Sequence, residues 1–331
     1  PYAVSDDNGG ATVIYTGSGT SFNDTGRTQG TIYYYKFYSV NNSYYSSGST
    51  ANATTWTTPT LTTPTATSIG QTGATLGATV TANGGEALSS RGTVWGTSSD
   101  PTGNGLAEGG TAVEAFSHAR SGLSQGTRYF YRGYAVNSVG TAYSPSGSFY
   151  TEPGQATSVQ FSAVVGTTMT ISWTAGADSD GSIVVIRASN STVDDPVDGT
   201  LYTGNAAYGG TALGSSYVVY RGSGTSVDVT GLTGGVTYYV EVFAYKGTVA
   251  TSGVDQGINY RQTSPATGSQ ATCTTPTAPT VSAGSNPTSS GFTANWEAVS
   301  GATSYRLDVS STAFGGGTED IISQETMGTT G

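Results

Sequence analysis

With one histidine, His118, and one cysteine, Cys273, this chain carries few groups for nucleophilic or acid–base chemistry. A His/Cys metal cluster or a Cys–His dyad cannot be assembled within a single copy. A Ser-His-Asp triad would have to use His118. That residue lies in the alternating run Ala115-Phe-Ser-His-Ala, which predicts an exposed strand residue. Cys273 sits in a threonine-rich joint and reads as an unpaired linker thiol. Asp178-Ser-Asp180-Gly181 offers oxygens to a hard cation, but an EF-hand loop needs Glu at its twelfth position, and here that position is Ser189. Together with Asp194-Asp195-Pro196-Val-Asp198, these carboxylates are expected in solvated turns that bond locally. Nothing places a matched carboxylate pair in a cleft for glycoside hydrolysis. The expectation is no catalytic, cofactor-binding or metal site, and no enzyme.

The 22 tyrosines are the other chemical resource. Tyr33-Tyr34-Tyr35, Tyr38 and Tyr44-Tyr45 are read first as packing residues, with a surface for stacking on sugars or a neighbouring subunit as the alternative. Strand alternation sends every second side chain outward in either case. Asn23, Asn41, Asn52 and Asn190 each begin an N-glycosylation pattern, at a frequency expected by chance in so Asn- and Thr-rich a chain.

Composition sets the elements that must hold these residues. At 331 residues there is room for two or three domains. Thr, Val and Tyr favour strands, Gly, Ser, Asn and Pro punctuate turns, and no stretch carries capped helical periodicity, so the class is all-β. The net charge of −10 argues against a nucleic-acid partner. No apolar run is long enough to span a membrane as a helix. A hydroxyl-rich, disulfide-free surface fits a bacterial exterior, an extracellular setting. A start at Pro1, with neither Met nor a signal segment, reads as a processed or partial chain.

The strongest organisational signal is a phrase met three times: Gly26-Arg-Thr-Gln-Gly30-Thr-Ile-Tyr33, Gly122-Leu-Ser-Gln-Gly126-Thr-Arg-Tyr129 and Gly231-Leu-Thr-Gly-Gly235-Val-Thr-Tyr238. Threonine/proline joints at Thr57–Pro64, Thr151–Gly154 and Thr274–Pro279 divide the chain. Four segments result: 1–58, 59–152, 153–276 with a long insertion, and 277–331. Met169-Thr-Ile171-Ser-Trp173 alternates as a half-buried strand ending in Trp, and Ile183-Val-Val-Ile186 follows.

A Trp after an early alternating strand, then Leu232-x-x-Gly235-x-x-Tyr238 or Leu123-x-x-Gly126-x-x-Tyr129 before a late one, resembles the fibronectin type III domain. The resemblance implies tandem immunoglobulin-like β-sandwiches, with Tyr33, Tyr129 and Tyr238 as corner residues whose hydroxyls bond upstream backbone. The first copy departs from the pattern with Arg27 for Leu. Segment 59–152 departs with Leu76-Gly-Ala-Thr-Val80 in place of a Trp strand, leaving Trp95 as its large aromatic. The style of the repeats also resembles large exported surface proteins of Bacteroidota-type bacteria, where such modules form stalks, adhesins or spacers.

Residues 1–58 read as a late half of a module, because Tyr15-Thr-Gly-Ser-Gly-Thr-Ser matches Tyr220-Arg-Gly-Ser-Gly-Thr-Ser. Residues 277–331 read as an early half, with Phe292-Thr-Ala-Asn-Trp296 as the Trp strand and Ser304–Val309 as the next. Three readings of the halves stay open: a window from a longer array, head-to-tail assembly by strand addition, or disordered ends. The predicted function is an extracellular structural or adhesive repeat forming a stalk or filament. The alternative is a spacer or carbohydrate-binding region of a larger secreted enzyme. Expected partners are neighbouring copies or modules, and surface glycans.

Overall fold

The computed structural model describes residues 7–8, 10–250, 255–274 and 276–309, and every described element is a strand. In the amino-terminal segment β1 (Asp7–Asn8) pairs β2 (Ala11–Thr12), β3 (Ile32–Phe37) pairs β6 (Ser49–Thr54), and β4 (Val40–Asn41) pairs β5 (Tyr44–Tyr45).

Nine strands follow within 59–152: β7 (Thr60–Leu61), β8 (Thr65–Thr67), β9 (Gly73–Ala82), β10 (Ser90–Gly96), β11 (Leu106–Ala107), β12 (Ala115–Ser121), β13 (Arg128–Val136), β14 (Thr141–Tyr143) and β15 (Gly147–Tyr150). One sheet runs β12-β9-β7 with β8 also on β9; the other runs β11-β10-β13-β14 with β15 also on β13. This is the two-sheet antiparallel sandwich expected from the sequence. Burial alternates without a break along β13, so Tyr129, Tyr131, Gly133 and Ala135 face inward. Leu76, Ala78 and Val80 of β9 supply the facing layer, and Trp95 of β10 packs against Tyr131 and its neighbours, as its position one strand later led us to expect.

His118 is a correction. It shares its face of β12 with buried Phe116 and Arg120 and is half-buried, not exposed. Arg120 is only 4% exposed; its guanidinium lies 4.8 Å from the Trp95 ring and donates to Thr93 Oγ1 and the Leu106 carbonyl, leaving Nη1 unpartnered. Burial pulls its pKa below the usual arginine value.

The next sandwich holds β16 (Thr157–Ser162), β17 (Met169–Thr174), β18 (Gly181–Ala188), β19 (Ala212–Leu213), β20 (Ser216–Gly222), β21 (Ser226–Val229), β22 (Thr237–Lys246), β23 (Asn259–Tyr260) and β24 (Ala266–Ala271). Its sheets are β16-β17-β21 and β19-β20-β18-β22-β23, with β24 also on β22. Met169, Ile171 and Trp173 point into the inter-sheet core against Val184, Ile186, Val240 and Val242. The run Ile183–Ile186 is buried on both faces, because a second core lies outside the sheet. There Ile183, Val185, Phe243 and Tyr245 are covered by Val193 and Leu213 of the insertion and by Ile258 and Tyr260. Finally β25 (Val281–Ser285) pairs β26 (Thr293–Trp296).

The repeated phrase builds one device three times. The backbone N–H groups of Thr28, Ser124 and Thr233 donate to the hydroxyl oxygens of Tyr33, Tyr129 and Tyr238 at 2.9, 3.0 and 2.9 Å, each five residues upstream. Both glycines of each phrase take positive φ, for example 71° at Gly231 and 75° at Gly235, a region that residues with a Cβ enter at a cost. A threonine from the end of the last strand then locks the loop. Thr272 Oγ1 donates to the Thr233 carbonyl at 2.6 Å and accepts from the Val236 N–H at 3.2 Å. Thr151 and Thr55 do the same at their own corners.

Two substitutions test this account. Thr272→Val leaves one backbone N–H and one carbonyl of the corner without their hydroxyl partner, and should cost about 1–3 kcal/mol. Hydrogen-exchange protection across β22 and β24 should fall accordingly, while β9 and β13 keep theirs. Arg120→Met removes an incompletely bonded buried cation, and should leave the unfolding free energy of the first sandwich unchanged or raise it by about 1–2 kcal/mol, read from denaturant titration.

Candidate functional site

Polar side chains gather at the joint between the two complete sandwiches; of the candidates named from the sequence, Asp178 takes part in it, whereas His118, Cys273 and Asp194 lie elsewhere. Thr151, Glu152 and Pro153 are buried there, so this stretch is a packed contact and not only an extended connection. The Arg261 guanidinium donates to the Glu152 carboxylate in a pair whose side chains are 18% and 10% exposed. Asn259 Nδ2 donates to the Tyr150 carbonyl at 2.8 Å, and the Gln256 N–H to the Ser148 carbonyl at 2.9 Å. Ser148 Oγ donates to Asp255 Oδ1 at 3.1 Å, and Arg128 lies 3.5 Å from the same carboxylate. Arg128 is itself stacked beside Phe130 and Tyr150 at 4.8 and 5.5 Å.

Further bonds brace the joint. Gln125 Nε2 donates to Asp178 Oδ2 at 2.8 Å, and Gln71 Nε2 to the Pro153 carbonyl at 3.2 Å. The Gly154 N–H donates to the Ala177 carbonyl at 2.8 Å. Asp180 takes Lys246 Nζ at 2.7 Å and the Gly247 N–H at 2.9 Å. The Asp178–Gly181 turn, whose carboxylates could be read as cation ligands, therefore spends them on the joint and on local bonds. A side chain at Gly126 would come within 2.6 Å of Asp178, so the repeat glycine also permits this close approach. A cavity of about 200 Å³ remains between the sandwiches, lined in part by Ile69, Tyr150, Asp198 and Asn259.

Chemically this ring of contacts is suited to holding, since its carboxylates face guanidinium, ammonium, amide or hydroxyl partners. Among the described residues no group of three or more His, Cys, Asp or Glu side chains converges. Asp194 of the insertion accepts from Ser216 Oγ at 2.6 Å and from the Ser215 N–H at 2.9 Å, and the Ser216 bond holds its pKa below the usual carboxylate value. Burial pushes Tyr131 and Tyr260 up to about 12, so neither provides a phenolate at neutral pH. Cys273 is exposed, with its thiol 3.4 Å from the Val164 carbonyl. No described helix is long and apolar enough to cross a membrane.

The tyrosines of the amino-terminal segment depart from the packing expected of them. Tyr34 and Tyr44 are 78% and 83% exposed, and Tyr35, Tyr38 and Tyr45 also lie open. Asn23, Asn41, Asn52 and Asn190 are all exposed.

No family model matches the chain, and no curated protein matches it. Among solved structures, a two fibronectin type-III domain segment from chicken tenascin aligns with 64% of this chain and 99% of its own, at 20% identity and a TM-score of 0.31. The FN1–FN3 domains of chicken CNTN1 align with 74% of this chain and 77% of their own, at 13% identity and a TM-score of 0.34. The sandwich assignment itself rests on the strand order and register described above.

The sequence located this joint but not the bonds across it, because they link residues such as Glu152 and Arg261, which are 109 positions apart. Removing both acidic clasps, as Glu152→Ala with Asp255→Ala, should free the sandwiches to reorient. NMR relaxation should then report separate tumbling times for 59–152 and 153–276, with each sandwich keeping its own amide protection.

Proposed function

We propose that this chain is a non-enzymatic, extracellular structural repeat that carries load along a bacterial surface stalk or filament, in an adhesive role. The observation that supports this best is the braced joint. Inter-domain contacts ordinarily permit relative motion, whereas here side chains from several elements bond across the connection and oppose bending. The chain also runs lengthwise through the first sandwich. The Thr57 backbone N–H donates to the Gly84 carbonyl just past one end of β9, and the Glu152 backbone N–H to the Gly70 carbonyl just before the other. Ten residues of β9 separate these points by about 33 Å. Tension applied at the two joints would pull along the strands, so many ladder bonds share the load together.

A similar arrangement secures the earlier joint, where Asn137 Nδ2 donates to the Thr57 and Asn83 carbonyls at 2.7 and 2.8 Å. Stretching the full chain in a single-molecule experiment should produce two unfolding events. Their released lengths should be about 30 nm and about 40 nm, from roughly 3.5 Å per residue. A smooth extension at low force, with no discrete events, would refute the load-bearing reading.

A further inference from the structure

We propose that the open face of β3 is the seat for residues 281–309 of a second copy, which would complete a sandwich between chains. This inference rests on the structural-repeat reading above and names the partner. The amino-terminal hairpin already has the strand register of a complete module. Tyr33 pairs Ala53 as Tyr129 pairs Phe149, both members displaced by 96 positions, so β3 and β6 keep the register of β13 and β15. Yet β13 also pairs β10, and β22 also pairs β18. Among the described residues, β3 pairs only β6.

The consequence appears in burial. Tyr131 is fully buried, while Tyr35 at the same position is 39% exposed. Phe37, which corresponds to buried Val242, is 64% exposed. The carboxy-terminal segment shows the reverse deficiency. Its β25–β26 pair corresponds to β16–β17, but Phe292, in the place of buried Met169, is 59% exposed, and Val281 is 72% exposed. Leu307 and Val309 are exposed too. Each segment thus bares the apolar layer that the other type of segment covers inside the second sandwich.

The register of the union follows from the tryptophans. Trp173 Nε1 donates to Ser182, nine residues on, at 3.0 Å. Trp296 lies against Tyr305, also nine residues on, with ring centroids 5.8 Å apart. This common spacing places Tyr305, Leu307 and Val309 where Ser182, Val184 and Ile186 stand. Val184 pairs Val242 and Ile186 pairs Val240 in the second sandwich. Transferred to the two ends, Leu307 faces Phe37, Val309 faces Tyr35, and Asp308 faces Lys36. The last pair brings opposite charges together across the new strand pair, which favours this register over one displaced by two residues that sets Arg306 against Lys36. A second copy supplies the missing layer by strand addition, and repetition gives an open head-to-tail chain.

Paired cysteines test the register in the full chain carrying Cys273→Ser. Facing residues in an antiparallel pair lie within disulfide reach. Lys36→Cys with Asp308→Cys should give a ladder of covalent multimers on mild oxidation, at a yield about tenfold above Lys36→Cys with Arg306→Cys. Without cysteines, sedimentation should show multimers that grow with concentration, and Phe37→Asp should dissolve them. Only intramolecular disulfides, equal yields for the two pairs, or a monomer at every concentration would overturn the proposal. If two discrete unfolding events persist in such a monomer, the inter-chain union fails and the load-bearing reading stands.

Discussion

The corner formed by a tyrosine, its two glycines and a distant threonine is the constraint on which the rest of the structure depends. It joins three things that must agree. The tyrosine ring belongs to the inter-sheet core, its oxygen fixes the loop entering the long strand, and the threonine ties that loop to the last strand. In the second sandwich these are Tyr238, the loop from Gly231 to Gly235, and Thr272. In the first sandwich the threonine is also the first residue of the joint, so that corner sets where the module stops and how its neighbour approaches. Thr151 occupies this position beside Glu152, whose carboxylate meets Arg261 across the boundary.

A related economy of parts appears at the other turn shared by two segments. In Tyr15-Thr-Gly-Ser-Gly and Tyr220-Arg-Gly-Ser-Gly, the tyrosine hydroxyl accepts the N–H four residues on, at 2.8 and 2.6 Å. A side chain at Gly19 or Gly224 would come within 2.7 or 2.6 Å of that oxygen. The bond from a backbone N–H to a phenol oxygen recurs at Val197 and Tyr202 inside the insertion. Tyrosine here serves as an apolar body and a polar tip at once.

Local features were legible in the sequence. Alternation located β17 and its Trp173, the repeated phrase located the three corners, and the absence of a Trp strand in 59–152 pointed to Trp95. The threonine locks were not legible, since one hydroxyl among many threonines has no local signature until the last strand returns. The second core was signalled only by four consecutive apolar residues from Ile183 to Ile186, a run that strand alternation sends to both faces of the sheet without naming what covers the outer one. The joint was misjudged in kind. Proline and threonine indicated a stiff tether, whereas the rigidity comes from Asn259, Arg261, Gln125 and Asp178 reaching in from elsewhere. His118 was misplaced because its strand face, which carries Phe116 and Arg120, is buried despite its two basic residues.

The outer core of the second sandwich also imposes an order in time. Its sheet begins with β18 at Gly181, but Ile258 and Tyr260, which cover the outer face, emerge some way later in the chain. Until they arrive, Ile183, Val185 and Phe243 face water with only the insertion to shield them. Contacts of such sequence separation slow folding, because a long loop must close before any of its burial is gained. On a chain emerging one residue at a time, the first sandwich can therefore close while the second still lacks the strands that cover its outer face.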